Sequence, residues 1–270
     1  MIDSRLNKEL KERFSPVGSD LQKHQSKLLE ILIYIDSICR DNQIDYWLSS
    51  GTALGAVRHG GFIPWDDDVD IEMTYKDYKR FEKIMLKDNK YVIQTRRTDP
   101  FYAAPYAKVR DTETIIDEHP QDWNYKFKGV YVDVFIIEKN PSLLIAAFFS
   151  RVIWRLILEG GNARSSYQKR SFSIKKKIIY YFRAIFRFVL VCLPTKKYRH
   201  TLGAGFNRNL RYLNEIYPLK DAVFEGHVFR IAGNWDAYLT RLYGDYMSLP
   251  EMSNIHTHVS HLVFLGEQKE

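Results

Sequence analysis

The stretch VYVDVFII, residues 130–137, is apolar on both faces of an extended chain apart from Asp133. A strand with two apolar faces has to be covered on both sides, so it belongs in the middle of a sheet with helices packed against it. Apolar residues at helical spacing over 19–40, and two long apolar stretches at 143–158 and 174–193, predict helices that would cover it. We therefore predict an α/β (α+β) fold, a mixed sheet flanked by helices.

The remaining local patterns predict shorter elements. We expect strands at 44–49, 69–73, 91–95, 106–109 and 114–116, a strand pair within 223–231, and helices at 53–59, 75–87 and 234–243. Gly60-Gly61 should end the first of these helices, and Thr74 should cap the second. Residues 1–140 are predicted to form a catalytic core, and residues 141–270 a mostly helical, basic region packed on it.

Aspartates crowd the stretch WDDDVD, residues 65–70. In a strand, Asp68 and Asp70 share a face with about 6.6–6.8 Å between their Cα atoms. Two carboxylates that converge repel each other unless a cation lies between them, and Mg²⁺ takes one or two carboxylates while leaving room for phosphate oxygens. Asp133 can complete the site from a neighbouring strand, because an ionised carboxylate in an apolar strand needs a metal or an arginine as partner.

The small residues Ser50, Gly51 and Thr52 lie between a predicted strand and a predicted helix. Glycine allows the backbone to approach a phosphate, and the helix N-terminus presents free N–H groups. A strand, a small-residue turn, a helix, a strand with D-x-D and an aspartate on a further strand are arranged in this order in nucleotidyltransferases. A solvated acidic loop is the alternative interpretation of the aspartates, and Asp66 and Asp67 are assigned no metal role.

The whole stretch GTALGAVRHGGFIPWDDDVDIEM, residues 51–73, resembles the signature of the LicD family. GVYVDVF around Asp133 and LYGDYMSLP at 242–250 are similar to further family motifs, so the resemblance extends from about residue 20 to residue 250. Members of this family transfer phosphorylcholine and similar groups from nucleotide-activated donors. The resemblance implies a nucleotidyltransferase-like fold and metal-dependent phosphotransfer.

The resemblance implies a role in metal binding and catalysis for three of the aspartates. Two Mg²⁺ ions, or Mn²⁺ in their place, would be held by Asp68, Asp70 and Asp133 and would clamp the transferring phosphate. A hydroxyl of a cell-surface glycan (teichoic acid, lipopolysaccharide or capsule), free or lipid-linked, would attack a CDP-alcohol, with Asp133 accepting its proton as CMP leaves. Arg58 would neutralise phosphate charge, or else be a plain surface residue or an ion-pair partner of the aspartates. Donor-binding residues would be Ser50, Gly51, Thr52 and His59. Alternatively, His59 would only pack against the loop that follows it.

The net charge of +7 is unevenly distributed along the chain. Residues 160–214 carry 13 Lys and Arg and no Asp or Glu, which leaves 27 basic and 33 acidic residues elsewhere. Such a block indicates an anionic partner. Cys39 and Cys192 form neither a metal cluster nor a disulfide framework, and the charged N-terminus lacks the apolar core of a signal peptide, so we expect a cytoplasmic protein.

The helix predicted over 174–193 places Lys176, Tyr180, Arg183 and Arg187 on one narrow stripe, with apolar residues elsewhere. A buried helix with this stripe as its wet edge is one interpretation. A helix at the inner face of the membrane, with its basic residues near anionic headgroups, is another. Arginines interrupt the apolar stretches and argue against a membrane span.

Two other functions fit parts of the pattern. A nucleotidyltransferase that uses an NTP on RNA or protein would share the three aspartates, but the chain has no RNP-like or KH motif, so no nucleic acid partner is expected. A non-catalytic, membrane-associated scaffold would have lost the metal ligands. His256, His258 and His261 have no metal-ligand spacing and are interpreted as a polar tail.

Overall fold

The computed structural model describes residues 1–116, 123–205, 209–251 and 262–264; the three C-terminal histidines lie outside these ranges. The helices there are α1 (Ser4–Phe14), α2 (Asp20–Asp41), α3 (Ser50–His59), α4 (Tyr75–Met85), α5 (Leu143–Asn162), α6 (Ser166–Cys192), α7 (Leu213–Ile216) and α8 (Trp235–Tyr243). The strands are β1 (Trp47–Leu48), β2 (Asp70–Thr74), β3 (Val92–Gln94), β4 (Ala107–Arg110), β5 (Thr114–Ile116), β6 (Tyr131–Lys139), β7 (Tyr198–His200), β8 (Lys220–Phe224), β9 (His227–Ile231) and β10 (Leu262–Phe264).

The main sheet has six strands with β6 at its centre. Its order is β1-β2-β6-β4-β3, and β7 pairs with the far end of β6, on the edge that β4 also uses. Strands β2 and β6 are parallel, whereas β1, β4 and β7 run antiparallel to their neighbours. Two small sheets, β5 with β10 and β8 with β9, lie apart from it. The predicted α/β class and the central position of β6 are therefore confirmed.

Local sequence signals explain where the elements begin and end. The side chain of Ser19 accepts from the N–H of Gln22 at the start of α2, and Thr74 accepts from Asp77 at the start of α4, as its position predicted. Gly60 ends α3 in the left-handed region at a φ of 69°, where a side chain would be unfavourable. Helix α1 and strand β7 were not predicted.

Side-chain alternation gives the sheet two different faces. Ile71, Val134 and Val109 lie on the face that joins the main hydrophobic core, which α2 and α4 cover. The opposite face carries polar residues at the centre of the sheet, where Asp70 and Asp133 are register partners. One face of the sheet thus holds the fold together, and the other carries chemistry.

Helices α5 and α6 pack against each other as a hairpin, and α6 also contacts β6. Here the structure corrects one interpretation of the sequence. Tyr180 and Arg183 on the polar stripe of α6 are buried against the core, and the outward surface of the C-terminal half of α6, residues 178–192, is apolar. The wet edge expected along that stripe was wrong, because the stripe finds buried hydrogen-bond acceptors: Tyr180 donates to the Ala103 carbonyl over 2.8 Å and Arg183 to the Leu202 carbonyl over 2.6 Å.

Candidate active site

Strands β2 and β6 bring two of the predicted aspartates side by side. Asp70 opens β2 and faces Asp133 of β6 in the parallel register, and the Asp133 N–H donates to the Val69 carbonyl over 2.9 Å. Asp68 precedes the strand rather than lying in it, yet it lines the same cavity. This cavity has a volume of 570 Å³ and is bounded by β2, β4, β6, α5 and the segments around residues 102–106 and 203–205. The structure therefore brings Asp68, Asp70 and Asp133 together.

The cavity holds more negative charge than it neutralises by itself. Burial raises the pKa of Asp70 well above its ordinary value, and repulsion from Asp68, Asp133 and Asp66 raises it further, while Lys108 acts in the opposite sense. Lys108 Nζ lies 3.1 Å from Asp133 Oδ1 and sits over the ring of Tyr131. Hence the floor of the cavity is a carboxylate cluster with a lysine close by, in which Asp70 is buried, Asp133 half-buried and Asp68 exposed.

The donor chemistry of this floor suits a hard divalent cation, because carboxylate oxygens are the ligands that Mg²⁺ prefers and added positive charge would relieve the repulsion at Asp70. Within the described part of the chain, no three His, Cys, Asp or Glu side chains are arranged to hold a metal ion. The contact of Lys108 with Asp133 occupies part of the coordinating surface. The carboxylates fit a metal by chemistry, and the magnesium ions remain a prediction.

A second buried carboxylate lies behind Asp70 on the same face of β2. Glu72 accepts hydrogen bonds from Trp47, Ser49 and His200 at 3.0, 2.8 and 2.7 Å, and Arg211 donates to it through Nε and Nη2 at 2.9 and 2.7 Å. Burial alone would raise the pKa of Glu72, but the charge of Arg211 and the His200 hydrogen bond outweigh it and lower that pKa. This network ties the strand that bears Asp70 to β1, β7 and the start of α3.

The residues predicted to bind the donor phosphate occupy the first turn of α3 but do not line the cavity. Thr52 Oγ1 accepts from the N–H of Asp70 over 2.9 Å, so it positions the aspartate backbone. A Cβ added to Gly51 would lie 2.7 Å from Asp66 Oδ2, so a carboxylate rather than open space faces this glycine. Ser50 has a φ of 47°, a strained conformation for a residue with a side chain.

Arg58 and His59, at the end of α3, are likewise outside the cavity lining. Arg58 is buried and donates from Nη1 to the carbonyls of Tyr246 and Ser248 at 2.9 and 3.0 Å. His59 Nδ1 bonds to Asn7 Oδ1 over 2.7 Å, and burial together with the charge of Arg58 lowers its pKa to about 3. In this placement both residues fasten the terminal segments to α3, the packing alternative considered for His59.

Aromatic side chains form much of the remaining cavity wall, namely those of Tyr102, Tyr106, Tyr125, Tyr131 and Trp154. Tyr102 is fully buried, and its hydroxyl has no hydrogen-bond partner among the described residues. The rings of Tyr102 and Tyr125 meet edge to face, with centroids 5.5 Å apart. An anionic floor under aromatic walls is an environment suited to a cationic group.

Lys108 and Glu72 were not predicted as site residues, although the sequence carries a signal for each. Glu72 continues the alternation D-V-D-I-E that singled out Asp68 and Asp70. Lys108 sits between Ala107 and Val109 in a strand, an unusual place for a lysine without a partner. The aromatic wall has no comparable signal, because its members come from separate elements.

Comparison with known proteins agrees with this geometry. Residues 43–154, which carry all three aspartates, match the family described as LicD/FKTN/FKRP, nucleotidyltransferase domain. The chain is 26% identical over 265 residues to the lipopolysaccharide cholinephosphotransferase LicD of Haemophilus influenzae, covering 85% of this chain and 92% of that protein. Human ribitol 5-phosphate transferase FKRP is 35% identical over 69 residues, which is 26% of this chain and 14% of that protein. The resemblance to the LicD family predicted from the sequence is confirmed.

Proposed function

We propose that this chain, a LicD-type protein by its nucleotidyltransferase domain at residues 43–154, is a phosphotransferase that moves phosphocholine from CDP-choline to a hydroxyl group of a cell-surface glycan. The observation that carries the proposal is the single cavity in which Asp68, Asp70 and Asp133 meet an aromatic wall. The names of the relatives support the reaction class, since one transfers cholinephosphate and others ribitol phosphate.

The lining of the cavity favours choline over a polyol as the carried alcohol. A trimethylammonium group is attracted to the faces of aromatic rings, by about 0.5–2 kcal/mol for a ring. Tyr106, Tyr125 and Trp154 offer such rings beside the carboxylates. Tyr131 is already engaged by Lys108 and Arg110, at 3.2 and 4.3 Å from its centroid. Ribitol or glycerol would instead require several hydrogen-bond partners.

The donor diphosphate is anionic and needs positive charge in a cavity rich in carboxylates. We infer that Asp68, Asp70 and Asp133 hold Mg²⁺, with Mn²⁺ as a substitute; when bound, the metal would stabilise charge on the attacking and leaving oxygens. Lys108, already in the cavity, would add charge for a phosphate oxygen.

The chain's own part in the chemical step is a proton transfer. The acceptor oxygen bonds to the phosphorus that carries choline, the bond from this phosphorus to the bridging diphosphate oxygen breaks, and CMP leaves with the electron pair. The hydroxyl proton passes to the Asp133 carboxylate, which lines the cavity and is held by the Lys108 ion pair. Thr52 keeps the neighbouring Asp70 backbone in place.

A donor panel tests the proposal. The purified chain is incubated with Mg²⁺ and CDP-choline, CDP-ethanolamine, CDP-glycerol or CDP-ribitol, and CMP release is followed with water or an added glycan as acceptor. We expect CMP release that requires Mg²⁺ and is fastest with CDP-choline. Fastest release from CDP-ribitol would contradict the choline assignment while leaving the reaction class intact.

The same assay addresses the two other functions. A nucleotidyltransferase acting on RNA or protein would release pyrophosphate from an NTP and leave CDP-choline unchanged. A scaffold would do neither. The charge-rich cavity argues against the scaffold, because a carboxylate buried beside others, as Asp70 is, costs stability, and a role in catalysis would explain that cost.

A further inference from the structure

The α5–α6 hairpin has an outer surface that is unusually apolar for a protein exposed to water. We call this surface the hairpin face; its exposed side chains are Leu144 and Phe148 of α5 and Ile174, Ile178, Tyr181, Phe182, Ile185, Phe188 and Val189 of α6. On α6 these residues recur every three or four positions, so they form a continuous stripe along the helix. A contiguous apolar patch of this kind indicates a binding surface.

The opposite side of α6 explains how the apolar residues come to face outward. The helix is attached to the core through the buried Phe172 and Leu190 and through polar groups. Lys176 donates to the Pro100 carbonyl, Arg183 to Thr201 Oγ1 over 2.6 Å, and Arg187 to Glu138 Oε1 over 2.6 Å. An amphipathic helix on a water-exposed surface normally has the reverse orientation. Arg183 and Arg187 in the C-terminal half of α6 thus bind the protein, and the apolar side of this half is left for another apolar medium.

The positive charges near the hairpin face indicate which apolar surroundings it contacts. Within residues 160–214 the sequence has 13 basic and no acidic residues, and exposed ones such as Arg170, Lys177 and Lys196 lie on or just beyond α6. Two copies meeting through this face would bring the same positive charges together, which is unfavourable. An anionic bilayer instead offers both the apolar depth and the opposite charge.

We propose that the hairpin face docks on the surface of an anionic lipid bilayer, with the exposed apolar side chains in the acyl boundary and the lysines and arginines at the headgroups. Helix α6 lies along the surface: with 27 residues it is about 40 Å long. Among the helices described, none is long and apolar enough to serve as a membrane span.

Docking would also set the position of the active-site cavity. Ser150, Trp154 and Ile157 of α5 line that cavity, and Trp154 is still 53% exposed. One helix therefore belongs both to the hairpin and to the cavity wall. Resting on the proposed function, this places the acceptor hydroxyl of a lipid-linked glycan within reach of a cavity held at the membrane.

Vesicle sedimentation tests the docking without donor or acceptor, so its result is independent of the proposed function. The full chain is mixed with vesicles of equal parts phosphatidylglycerol and phosphatidylcholine, or of phosphatidylcholine alone. We expect binding to the anionic vesicles that weakens as salt rises, and much weaker binding to the neutral ones. Replacing Ile178 and Phe188, which are 52% and 71% exposed, by serine should weaken binding about tenfold for each residue.

The matched control replaces Val223 and Val228 by serine, since these are 54% and 50% exposed on the β8–β9 hairpin. It should bind like the parent chain, and thermal unfolding should show both double variants folded. Failure of the parent to bind anionic vesicles would overturn the proposal, as would an unchanged Ile178→Ser/Phe188→Ser variant. A dimer in sedimentation equilibrium that this variant dissociates would overturn it as well, because a second copy would then cover the face.

Discussion

At the scale of single residues, Asp70 is the clearest case of a side chain that destabilises the fold but suits the proposed metal site. Its carboxylate is buried beside Asp68, Asp133 and Asp66, and both burial and repulsion raise its pKa. Such a group destabilises the fold when it is ionised without a cation. Its retention is explained most directly by a ligand that brings positive charge.

Asp70→Asn should therefore make the metal-free protein more stable while transfer falls to background. For a carboxyl group whose folded pKa is raised, the stability contribution is complete below the unfolded pKa of about 4 and is lost as pH rises through the folded pKa. The gain in melting temperature should thus appear at neutral pH and vanish in acid. The variant Asp221→Asn, at an exposed aspartate, is the control. If Asp70→Asn melted below the parent chain at neutral pH, the ionised Asp70 carboxylate would not destabilise the fold.

Added Mg²⁺ should stabilise the parent chain, because a ligand that binds only the folded state contributes about 2.7 kcal/mol at a hundred times its Kd. Asp70→Asn and Asp133→Asn should lose most of this shift, whereas Asp221→Asn should keep it. Scanning calorimetry across a Mg²⁺ titration gives the measurement. An equal shift in all four proteins would place the metal elsewhere.

At the scale of elements, Glu72 joins pieces that are distant in the chain. Its carboxylate accepts hydrogen bonds from Trp47 of β1, His200 of β7 and Arg211. Ser49, which also donates to Glu72, is hydrogen-bonded to Tyr238 of α8 over 3.0 Å. Because Asp70 lies two residues away on the same face of β2, this network anchors the strand that bears Asp70.

Glu72→Gln should cost about 3–5 kcal/mol of unfolding free energy, because it leaves Arg211 buried without its counter-charge. Urea unfolding measures the loss, and the double variant Glu72→Gln/Arg211→Met should recover part of it. The folded pKa of Glu72 is lowered, so its stabilisation is present above the unfolded value of about 4.3 and fades as pH falls below it. A single variant as stable as the parent would mean that the network is not structurally important.

At the scale of the whole molecule, the cavity is assembled from parts that are far apart in sequence. The floor comes from β2, β4 and β6, Tyr102 from the segment before β4, and Trp154 from α5. The α5–α6 hairpin thereby contributes one wall of the cavity that holds the three aspartates. The proposed donor choice and the proposed membrane contact would be linked through this one helix.

Trp154→Ala should weaken CDP-choline binding by up to about tenfold, because one aromatic face is lost to the ammonium group. Binding of CDP-ribitol should change little, which separates loss of a cation contact from general damage to the cavity. Trp123→Ala, at a residue 65% exposed and outside the cavity lining, is the matched control in calorimetry with Mg²⁺. Equal losses for both donors would remove the argument for a choline pocket.

The sequence by itself determined the type of most elements and the three aspartates that line one cavity. Periods of two and of about 3.6 residues are local properties, so the sequence predicted α2, α4 and β6. The closeness of Asp68 and Asp70 in the sequence brought them to one cavity, although Asp68 precedes β2 and does not follow its alternation. An aspartate in an apolar strand pointed to Asp133 for the same reason. All of these inferences depend on neighbours within a few residues.

Only the tertiary structure decided which partner each charged side chain contacts. Lys108 reaches Asp133, Arg211 reaches Glu72, and Arg58 turns to carbonyls near the C-terminal end rather than to the cavity, each through contacts between distant segments. The orientation of α6 was decided in the same way. Helical periodicity shows that a helix has two different sides, but the side that faces the protein depends on the partners the core offers, and here these are the polar carbonyls of Pro100, Ala103 and Leu202.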